Sequence, residues 1–442
     1  MFRRTFTGRD RRFYLVALTV SCAFVLLIFD RPRNSQGKEL LLSYKEGEVN
    51  MRGVSKTQKP TTSSKLSGNN NGLVNPCTGN AWQNLTSVPD FLSSPVISIR
   101  HNLMYCPVGK VGSSYFTRLM ISLGMHRDAE GRVVSPYTIP ITEAGRNRCA
   151  NLNTLRLPGQ KLTFLQKAEL LVFGRDPYRR LFSAWLDKLY SPNPFFWKHW
   201  GESAILLDKG FLQYGGHASC AADVTFQQFV RLVVHDKGLH TSDVHLRPVA
   251  EECRMCDLHY TLIGKIETTS NDLDLLASRI NVTMTFHHEQ SYKTAAAVDT
   301  VLDAVGGAFS WRHDILRCGI SLDRMGRSIW RKLQIRGVFG SSEPYPFKPK
   351  ELDQNMPAER FIAACRNAIS RSTNRERLRK QKDVTLVEAY SQLTEKDLVN
   401  IQRVYSKDFL LFGYDQKPDL LFHNRNKTVA TNALDWNADW VL

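Results

Sequence analysis

Short apolar runs alternate along the chain with segments whose apolar residues recur every three or four positions. Runs of the kind that form buried strands lie around Tyr105, at Glu169–Phe173 and at Tyr260–Gly264. One segment with helical periodicity ends at Met120. The others span Arg179–Leu189, Phe226–Val234, Asp272–Ile280 and Leu398–Phe412. Because strands that alternate with helices build parallel sheets, the pattern predicts an α/β fold, a P-loop-like parallel sheet flanked by helices.

The amino-terminal region has the pattern of a membrane anchor. Phe13–Phe29 is a run of seventeen residues without a charge, the short end of the length that crosses a bilayer. Five arginines precede this run, and only Arg31 and Arg33 follow it closely. The positive-inside rule therefore predicts a cytosolic tail at residues 1–12, a transmembrane signal anchor at residues 13–29 and a lumenal remainder. A cleaved signal peptide is the alternative, but no small-residue cleavage site follows the run.

The predicted lumenal part begins with a polar segment. Residues 30–94 are rich in Ser, Thr, Asn, Lys and Pro, a composition that buries too little apolar surface to fold, and they are predicted to form a stem. A single globular domain is expected at residues 95–415, followed by a tail at residues 416–442. Sequons for N-glycosylation begin at Asn84, Asn281 and Asn426, and the predicted topology places all three in the lumen.

The charge balance narrows the possible partners. A formal net charge of +17 favours nucleic acid, anionic lipid or an acidic glycan. No zinc-finger pair, RNP motif or basic repeat with interleaved aromatic residues is present, so nucleic acid is disfavoured. The basic and partly aromatic segment Ser328–Arg336 fits either a surface that faces an acidic glycan or a solvated helix face.

The cysteines indicate an oxidising compartment. Of nine cysteines, Cys22 lies in the apolar run and eight lie beyond it, an even number whose pairing the sequence leaves open. The alternative to disulfides at Cys253 and Cys256 is that they form half of a zinc site together with His245 and His259. No second Cys-x-x-Cys completes such a site, so disulfides are favoured.

A turn of six residues, Gly-Lys-Val-Gly-Ser-Ser, joins the strand at Tyr105 to the following helix, and we call residues 109–114 the cradle. Its glycines let the backbone approach an anion, its lysine adds a positive charge and its serines add hydroxyl donors. These residues are Gly109, Lys110, Gly112, Ser113 and Ser114. A Walker P-loop places its lysine after the second glycine, so a nucleotide kinase of that type fits poorly.

A second strand-to-helix junction carries further basic residues. The run Glu169–Phe173 leads into Gly-Arg-Asp-Pro-Tyr-Arg-Arg-Leu-Phe-Ser-Ala-Trp, and the proline is well placed to begin a helix. Arg175 and Ser183 belong to this stretch. An arginine at a strand end is ordinarily a surface charge and a helical serine ordinarily has no role, so the case for a site depends on both junctions occurring together.

The two junctions resemble the two cofactor motifs of Golgi carbohydrate sulfotransferases that use 3′-phosphoadenosine 5′-phosphosulfate (PAPS). Two further stretches, residues 245–267 and Tyr405–Tyr414, match the branch that includes the HNK-1 and chondroitin/dermatan 4-O-sulfotransferases (sulfotransferase family 2). The matching stretches occur in the family's order from about Leu103 to Asp415. Gly109 stands where the family usually has proline, which predicts a looser turn.

The resemblance implies roles for individual residues. The cradle holds the 5′-phosphosulfate, with Lys110 at the bridging oxygen, and Arg175 with Ser183 holds the 3′-phosphate. Asp176 is expected to cap its helix. The other cofactor-binding candidates in these motifs are Val111, Tyr115 and Arg180, the last as an ion-pair partner of an acidic residue. Sulfuryl transfer of this type requires no metal ion.

The acceptor hydroxyl must lose a proton, and a histidine is the natural base because its pKa lies near neutral pH. His245, within the matching His-x-x-Pro stretch, is our hypothesis. His101, just before the first strand, is the alternative, and a structural histidine at position 245 is the simpler explanation.

The resemblance implies a single-pass type II Golgi membrane protein that transfers a sulfuryl group from PAPS to a glycan or glycosaminoglycan. The implied acceptor is the O-4 hydroxyl of N-acetylgalactosamine in chondroitin- or dermatan-type chains, or the O-3 hydroxyl of glucuronic acid in the HNK-1 type. The alternative from another class is a lumenal glycan-binding protein without turnover. The presence of Lys110, Arg175 and Ser183 argues against that alternative.

Overall fold

The computed structural model describes residues 85–90, 95–125, 127–145, 150–209, 219–423, 431–435 and 438. The predicted signal anchor, most of the predicted stem and the sequons at Asn84 and Asn426 lie outside these ranges. Among the helices in the described ranges, none has the length and apolar character needed to cross a membrane.

Four strands form one sheet in the order β1-β2-β3-β4. They are β1 (Val96–Ser98), β2 (Leu103–Tyr105), β3 (Glu169–Gly174) and β4 (Leu262–Lys265). The three strands expected from the sequence are β2, β3 and β4, and they are parallel to one another. The short β1 runs antiparallel to β2, so the prediction of a parallel sheet is correct only for β2 to β4, and the sheet is mixed.

Helices make up most of the remaining described chain. The α-helices, in chain order, are α1 (Ser113–Met125), α2 (Pro158–Lys167), α3 (Pro177–Trp185), α4 (Pro194–Phe196), α5 (Glu202–Lys209), α6 (Phe226–Val234), α7 (Leu239–Ser242), α8 (Val249–Glu252), α9 (Thr269–Arg279), α10 (Gln290–Ser310), α11 (Arg312–Arg317), α12 (Leu322–Ile335), α13 (Ala358–Arg371), α14 (Arg375–Ser391), α15 (Glu395–Val404), α16 (Ser406–Phe412) and α17 (Asp419–Phe422). Two π-helical segments, Leu186–Tyr190 and Trp197–Gly201, continue α3 and α4.

The sheet is covered on both faces, as its alternating side chains require. Leu103 and Tyr105 of β2 point to the face covered by α1 and α9. Met104 points to the opposite face, where α2, α8 and the end of α16 pack. A separate and larger helical core joins α3 and α6 to the helices from α10 to α15.

The register of the parallel strands places both motifs at one edge of the sheet. Tyr105 at the end of β2 pairs with Leu171, and Gly174 at the end of β3 pairs with Lys265 of β4. The cradle follows β2 and Arg175 follows β3, so both leave the sheet from its carboxyl edge. Ligands of open α/β sheets bind at this edge.

Two disulfides are described, Cys106–Cys253 and Cys220–Cys318. Cys256 is also disulfide-bonded, so the alternative of a zinc site at Cys253 and Cys256 is wrong. Cys365 is free and buried on α13, and the eight cysteines therefore do not all pair with one another.

The basic segment Ser328–Arg336 is not a solvated face. It forms the second half of α12, where Trp330, Arg331 and Lys332 are buried. The Arg331 guanidinium donates to the carbonyl oxygens of Asn432 and Ala433, at 2.8 and 3.3 Å. The described part of the predicted tail therefore packs onto this helix.

Candidate active site

The cradle forms the strand-turn-helix junction expected from its sequence. Lys110 and Gly112 have left-handed backbone conformations, with φ of 65° and 77°. The first helical hydrogen bond of α1 runs from the Phe116 amide to the Gly112 carbonyl, at 3.0 Å. The amides in the first turn of α1 consequently have no partner within the helix, the arrangement that binds an anion in phosphate-binding turns.

Gly109 lies where two backbone segments approach each other closely. A Cβ added at this position would lie 2.6 Å from the Cα of His245 and 3.1 Å from the carbonyl oxygen of Val244. Glycine is needed here for the close approach of these segments, and the looser turn expected from the family's proline stays a prediction. This contact brings the loop that carries His245 against the cradle.

An acidic residue outside the predicted site holds the cradle lysine. Lys110 Nζ lies 2.6 Å from Asp187 Oδ2, and the buried Lys332 Nζ lies 2.9 Å from Asp187 Oδ1. Lys332 also donates to the hydroxyl of Ser191 at 3.1 Å. Asp187 thus bridges a lysine of the sheet edge and a lysine of α12.

Electrostatics explain why this arrangement suits a further anion. Burial lowers the pKa of Lys110 to about 8, and Lys188 and Arg336 add to the effect although Asp187 opposes it. Burial would raise the pKa of Asp187, but the surrounding cations hold it well below its usual range. The carboxylate is therefore ionised, and the excess of positive charge around it favours an anionic ligand.

Arg175 connects the two motifs. Its Nη1 donates to the carbonyl oxygen of Lys110 at 3.1 Å. Burial lowers its pKa to about 10, with Arg336 and Arg179 contributing, while Glu267 opposes the shift. A buried guanidinium suits a phosphate group, which matches its geometry with two oxygens.

Arg180 acts from behind the cradle. Its side chain is 2% exposed, and it donates to the carbonyl oxygens of Gly109 and His245 at 3.1 and 3.2 Å. Asp408 of α16 lies 3.8 Å from its Nη1, which is the acidic partner expected from the sequence. Because the guanidinium is buried against the backbone, we assign it to positioning the cradle and the His245 loop and not to direct contact with the cofactor.

The remaining candidates fall into two groups. Ser113 is half-buried and Ser114 exposed at the start of α1, and Ser183 is half-buried on α3. Val111 and Tyr115 are buried in the core, so only their backbone amides are placed to meet a ligand. Asp176 caps α3, as expected, by accepting from the Arg179 amide at 2.9 Å.

His245 forms a pair with an acidic residue that the sequence did not single out. Asp243 Oδ1 accepts from the backbone amide of His245 at 2.8 Å and lies 2.9 Å from Nδ1 of its ring. Burial would raise the pKa of Asp243, yet its hydrogen bonds with His245 lower it. An ionised carboxylate requires that Nδ1 carries the proton, which leaves Nε2 as a proton acceptor.

The surroundings of the His245 ring favour its neutral form. Burial lowers its pKa, and Lys188 and Lys110 act in the same direction against Asp243. His101, the alternative base, lies at the opposite end of β2, where its Nδ1 is 2.9 Å from the Ser98 hydroxyl. The strand separates it from the cradle, so it is not part of this site.

Sequence reasoning missed Asp187 and the contributions of α12 beyond β4. Asp187 lies just after the second motif, and its proximity to four cations had no local signal. Lys332 and Arg336 belong to the basic segment already noted, but only the packing of α12 shows that this segment faces the cradle. The donor set of Lys110, Arg175 and free helix amides fits a polyanion such as PAPS.

Comparison with known proteins agrees with this chemistry. The model of the sulfotransferase family matches residues 94–300. Carbohydrate sulfotransferase 12 from Mus musculus is 27% identical over 256 residues, 52% of this chain and 59% of the relative. Carbohydrate sulfotransferase 11 from Rattus norvegicus is 31% identical over 192 residues, 42% of this chain and 52% of the relative.

A third relative, carbohydrate sulfotransferase 8 from Homo sapiens, is 28% identical over 223 residues, 48% of this chain and 50% of the relative. The chain thus spans between half and three fifths of the length of these curated relatives. No solved structure is similar enough to count as a match. Residues 94–300 are therefore similar to the sulfotransferase family, and the curated relatives that the chain matches are carbohydrate sulfotransferases.

Proposed function

We propose that this protein transfers a sulfuryl group from PAPS to a hydroxyl group of a glycan. The acceptor hydroxyl is O-4 of N-acetylgalactosamine in chondroitin- or dermatan-type chains. The support for the sugar is the sequence resemblance in residues 245–267 and Tyr405–Tyr414.

One observation carries the proposal for the reaction. Three groups from separate stretches of sequence meet at the carboxyl edge of the sheet. Arg175 is bonded to the carbonyl of Lys110, and the loop of His245 packs against Gly109. Sulfuryl transfer requires cations that bind the phosphate groups and a neutral base that accepts a proton. Lys110 and Arg175 are the cations, and His245 is the base.

PAPS supplies the sulfuryl group, and the residues of the chain have separate roles in its transfer. Lys110 and the amides of the cradle stabilise negative charge on the oxygen that leaves sulfur. Arg175, with the hydroxyl of Ser183, orients the nucleotide through its 3′-phosphate. His245 Nε2 takes the proton of the acceptor hydroxyl, and Asp243 holds the ring in the required tautomer.

Replacing Arg175 with alanine tests the cofactor assignment. A charge-assisted bond to phosphate contributes roughly 1.5–3 kcal/mol, so the variant is expected to bind adenosine 3′,5′-bisphosphate at least about tenfold more weakly than the wild type. Isothermal titration calorimetry on the purified protein measures this. Replacement of the exposed Arg156 by alanine is the control for loss of a positive charge. Wild-type affinity in the Arg175 variant would remove the second motif from the site.

The acceptor is identified by transfer of label. The protein is incubated with radiolabelled PAPS and desulfated chondroitin, dermatan and glucuronyl-lactosamine acceptors, and the labelled hydroxyl is located in the product. Label at O-3 of glucuronic acid would favour the HNK-1 type. Binding of acceptors without any transfer would favour the glycan-binding alternative.

We also propose that the domain lies in the Golgi lumen as part of a type II membrane protein. The two disulfides fit an oxidising compartment. Asn281 is exposed, with φ of 52°, just after α9, so an oligosaccharyltransferase could reach its sequon.

This topology predicts that protease added to sealed microsomes spares the chain beyond about Arg31. It also predicts glycans on at least one of Asn84, Asn281 and Asn426, detected as a mobility shift after glycosidase treatment. Digestion of the large domain in intact microsomes would contradict the lumenal placement.

A further inference from the structure

Two helices outside the family match reach the candidate active site. The match ends at residue 300, whereas α12 begins at Leu322 and α14 at Arg375. From α12, Lys332 pairs with Asp187, whose other oxygen holds Lys110. From α14, Asp383 pairs with Arg179 of the second motif at 2.7 Å. These contacts fix both helices against the residues proposed to bind the cofactor.

The end of α12 places a further cation, Arg336, near the candidate active site. Arg336 is the carboxyl cap of α12 and follows Lys332 by one helical turn, so it lies on the same side of the helix. The chain then turns at Gly337, which has φ of 62°. A Cβ at Gly337 would lie 3.2 Å from Cδ and Cε of Lys382, so the Lys382 side chain of α14 lies directly over this turn.

Several positive charges lie close together at this place. Loss of solvent lowers the pKa of Lys382, and Arg175, Arg179 and Arg336 lower it further, although Asp383 opposes the shift. Within the described part of the chain, neither Arg336 nor Lys382 has a carboxylate at ion-pair distance, while Arg179 has Asp383. Like charges held together in this way cost free energy unless an anion binds among them.

We propose that Arg336 and Lys382 complete, together with Arg175, the binding site for the 3′-phosphate of PAPS. The inference rests on the proposed function, since it assigns further ligands to the same cofactor. A phosphate monoester carries nearly two negative charges and several acceptor oxygens, which suits three cations better than one. Lys382 lies near Arg175 and Arg179 of the second motif, and it is the 3′-phosphate that the second motif is proposed to bind.

The structure thereby gives a role to a segment that the family match does not cover. Arg336 also influences Lys110 and Asp187, so it lies between the two phosphate-binding regions. The charged groups that influence Lys382 are Arg175, Arg179, Asp383 and Arg336, and they include no residue of the cradle. Lys382 is therefore the residue whose loss separates 3′-phosphate binding from all other contributions.

The test compares two nucleotides that differ only in the 3′-phosphate. Calorimetry on the full-length protein in detergent measures affinity for adenosine 3′,5′-bisphosphate and for adenosine 5′-monophosphate. Lys382→Ala is expected to weaken binding of the bisphosphate by about tenfold and to leave binding of the monophosphate unchanged. Lys382 keeps an exposed surface, although its neighbours shield its ammonium group in part from solvent, so the substitution does not disturb the core. Lys380→Ala, on the same helix and also exposed, is the matched control and is expected to bind both nucleotides as the wild type does.

The other outcomes are distinct from one another. An unchanged bisphosphate affinity, or an equal loss for both nucleotides, would overturn the role of Lys382. A wild-type protein that binds the bisphosphate no better than the monophosphate would overturn the proposed 3′-phosphate site as a whole, including Arg175. Arg336→Ala is a second variant. Because Arg336 lies between the two phosphate-binding regions, the variant is expected to bind both nucleotides more weakly, with the larger loss of affinity for the bisphosphate.

Discussion

Lys110→Ala is expected to lower the rate of sulfuryl transfer by about 10²–10³-fold, the range seen when one group that stabilises developing charge is removed. The lysine is the cation within the cradle itself, and its ammonium group is placed by Asp187 at 2.6 Å. Radiolabelled PAPS and the best acceptor measure the rate. Retention of more than about a tenth of the wild-type rate would mean that another group stabilises the leaving oxygen.

The fold should survive this substitution. Without Lys110, Asp187 keeps its ion pair with Lys332 at 2.9 Å and a longer one with Lys188 at 3.7 Å. No buried carboxylate is left alone, which is the condition that makes loss of an ion-pair partner costly. A melting temperature close to that of the wild type would show that the lower rate reflects the loss of the ammonium group and not a loss of folded protein.

Lys110→Arg is the informative companion variant. Burial lowers the pKa of Lys110 to about 8, and the ammonium form is the one that stabilises negative charge. The wild-type kcat/KM should therefore fall as the pH rises through about 8. An arginine keeps its charge, so in that variant the fall should move to higher pH even if the maximal rate is reduced.

The elements that build the cradle and the second motif follow from local sequence. An apolar run, a turn with glycines and a helical repeat lie within a few residues of one another, and β2, α1, β3 and α3 formed where these patterns occur. The capping role of Asp176 is equally local, because the cap accepts from an amide three residues away. The short β1 has too little sequence to show a period, and its antiparallel pairing was not predicted.

The rest of the site depends on contacts between distant parts of the chain. Gly109 looked like a source of flexibility because the His245 backbone that packs against it lies far along the sequence. The segment Ser328–Arg336 is basic in composition, but composition does not say which helix face is buried, and so the pairing of Lys332 with Asp187 had no signal. The sequence also left the pairing of the cysteines undetermined, because each disulfide joins distant parts of the chain.

His245→Ala is expected to lower kcat by about 10²–10⁴-fold and to leave the affinity for adenosine 3′,5′-bisphosphate unchanged. The two results differ because His245 is proposed to act on the acceptor and not on the nucleotide. Its Nδ1 faces Asp243, and its ring lies 6.0 Å from the rings of both Phe196 and Trp200. The proposed nucleotide contacts come from the cradle and from Arg175.

The structure permits a clean substitution at this position. The contact with Gly109 is made mainly by the backbone of residue 245, and Arg180 holds that backbone through its carbonyl oxygen. Both contacts remain when the side chain is removed. His235→Ala, at an exposed histidine after α6, is the control for loss of an imidazole and should keep the wild-type rate.

The pH dependence separates a base from a structural histidine. Burial and the charges of Lys188 and Lys110 lower the pKa of His245, and the neutral ring is the active form. The wild-type kcat/KM should therefore rise with pH through a value below 6.5, the ordinary pKa of the group. Asp243→Asn removes the carboxylate that raises this pKa, so the rise should move to still lower pH while kcat falls because the tautomer is no longer fixed.

A structural role makes a different prediction for the same variants. Loss of a structural histidine lowers the melting temperature and the nucleotide affinity together, and the pH at which the rate rises stays where it was. His245→Ala with more than about a tenth of wild-type turnover, or with the acid limb of its pH profile unchanged, would place the base elsewhere. Added imidazole should restore part of the rate in His245→Ala, because the cavity left by the side chain keeps the acceptor's proton within reach of a small base.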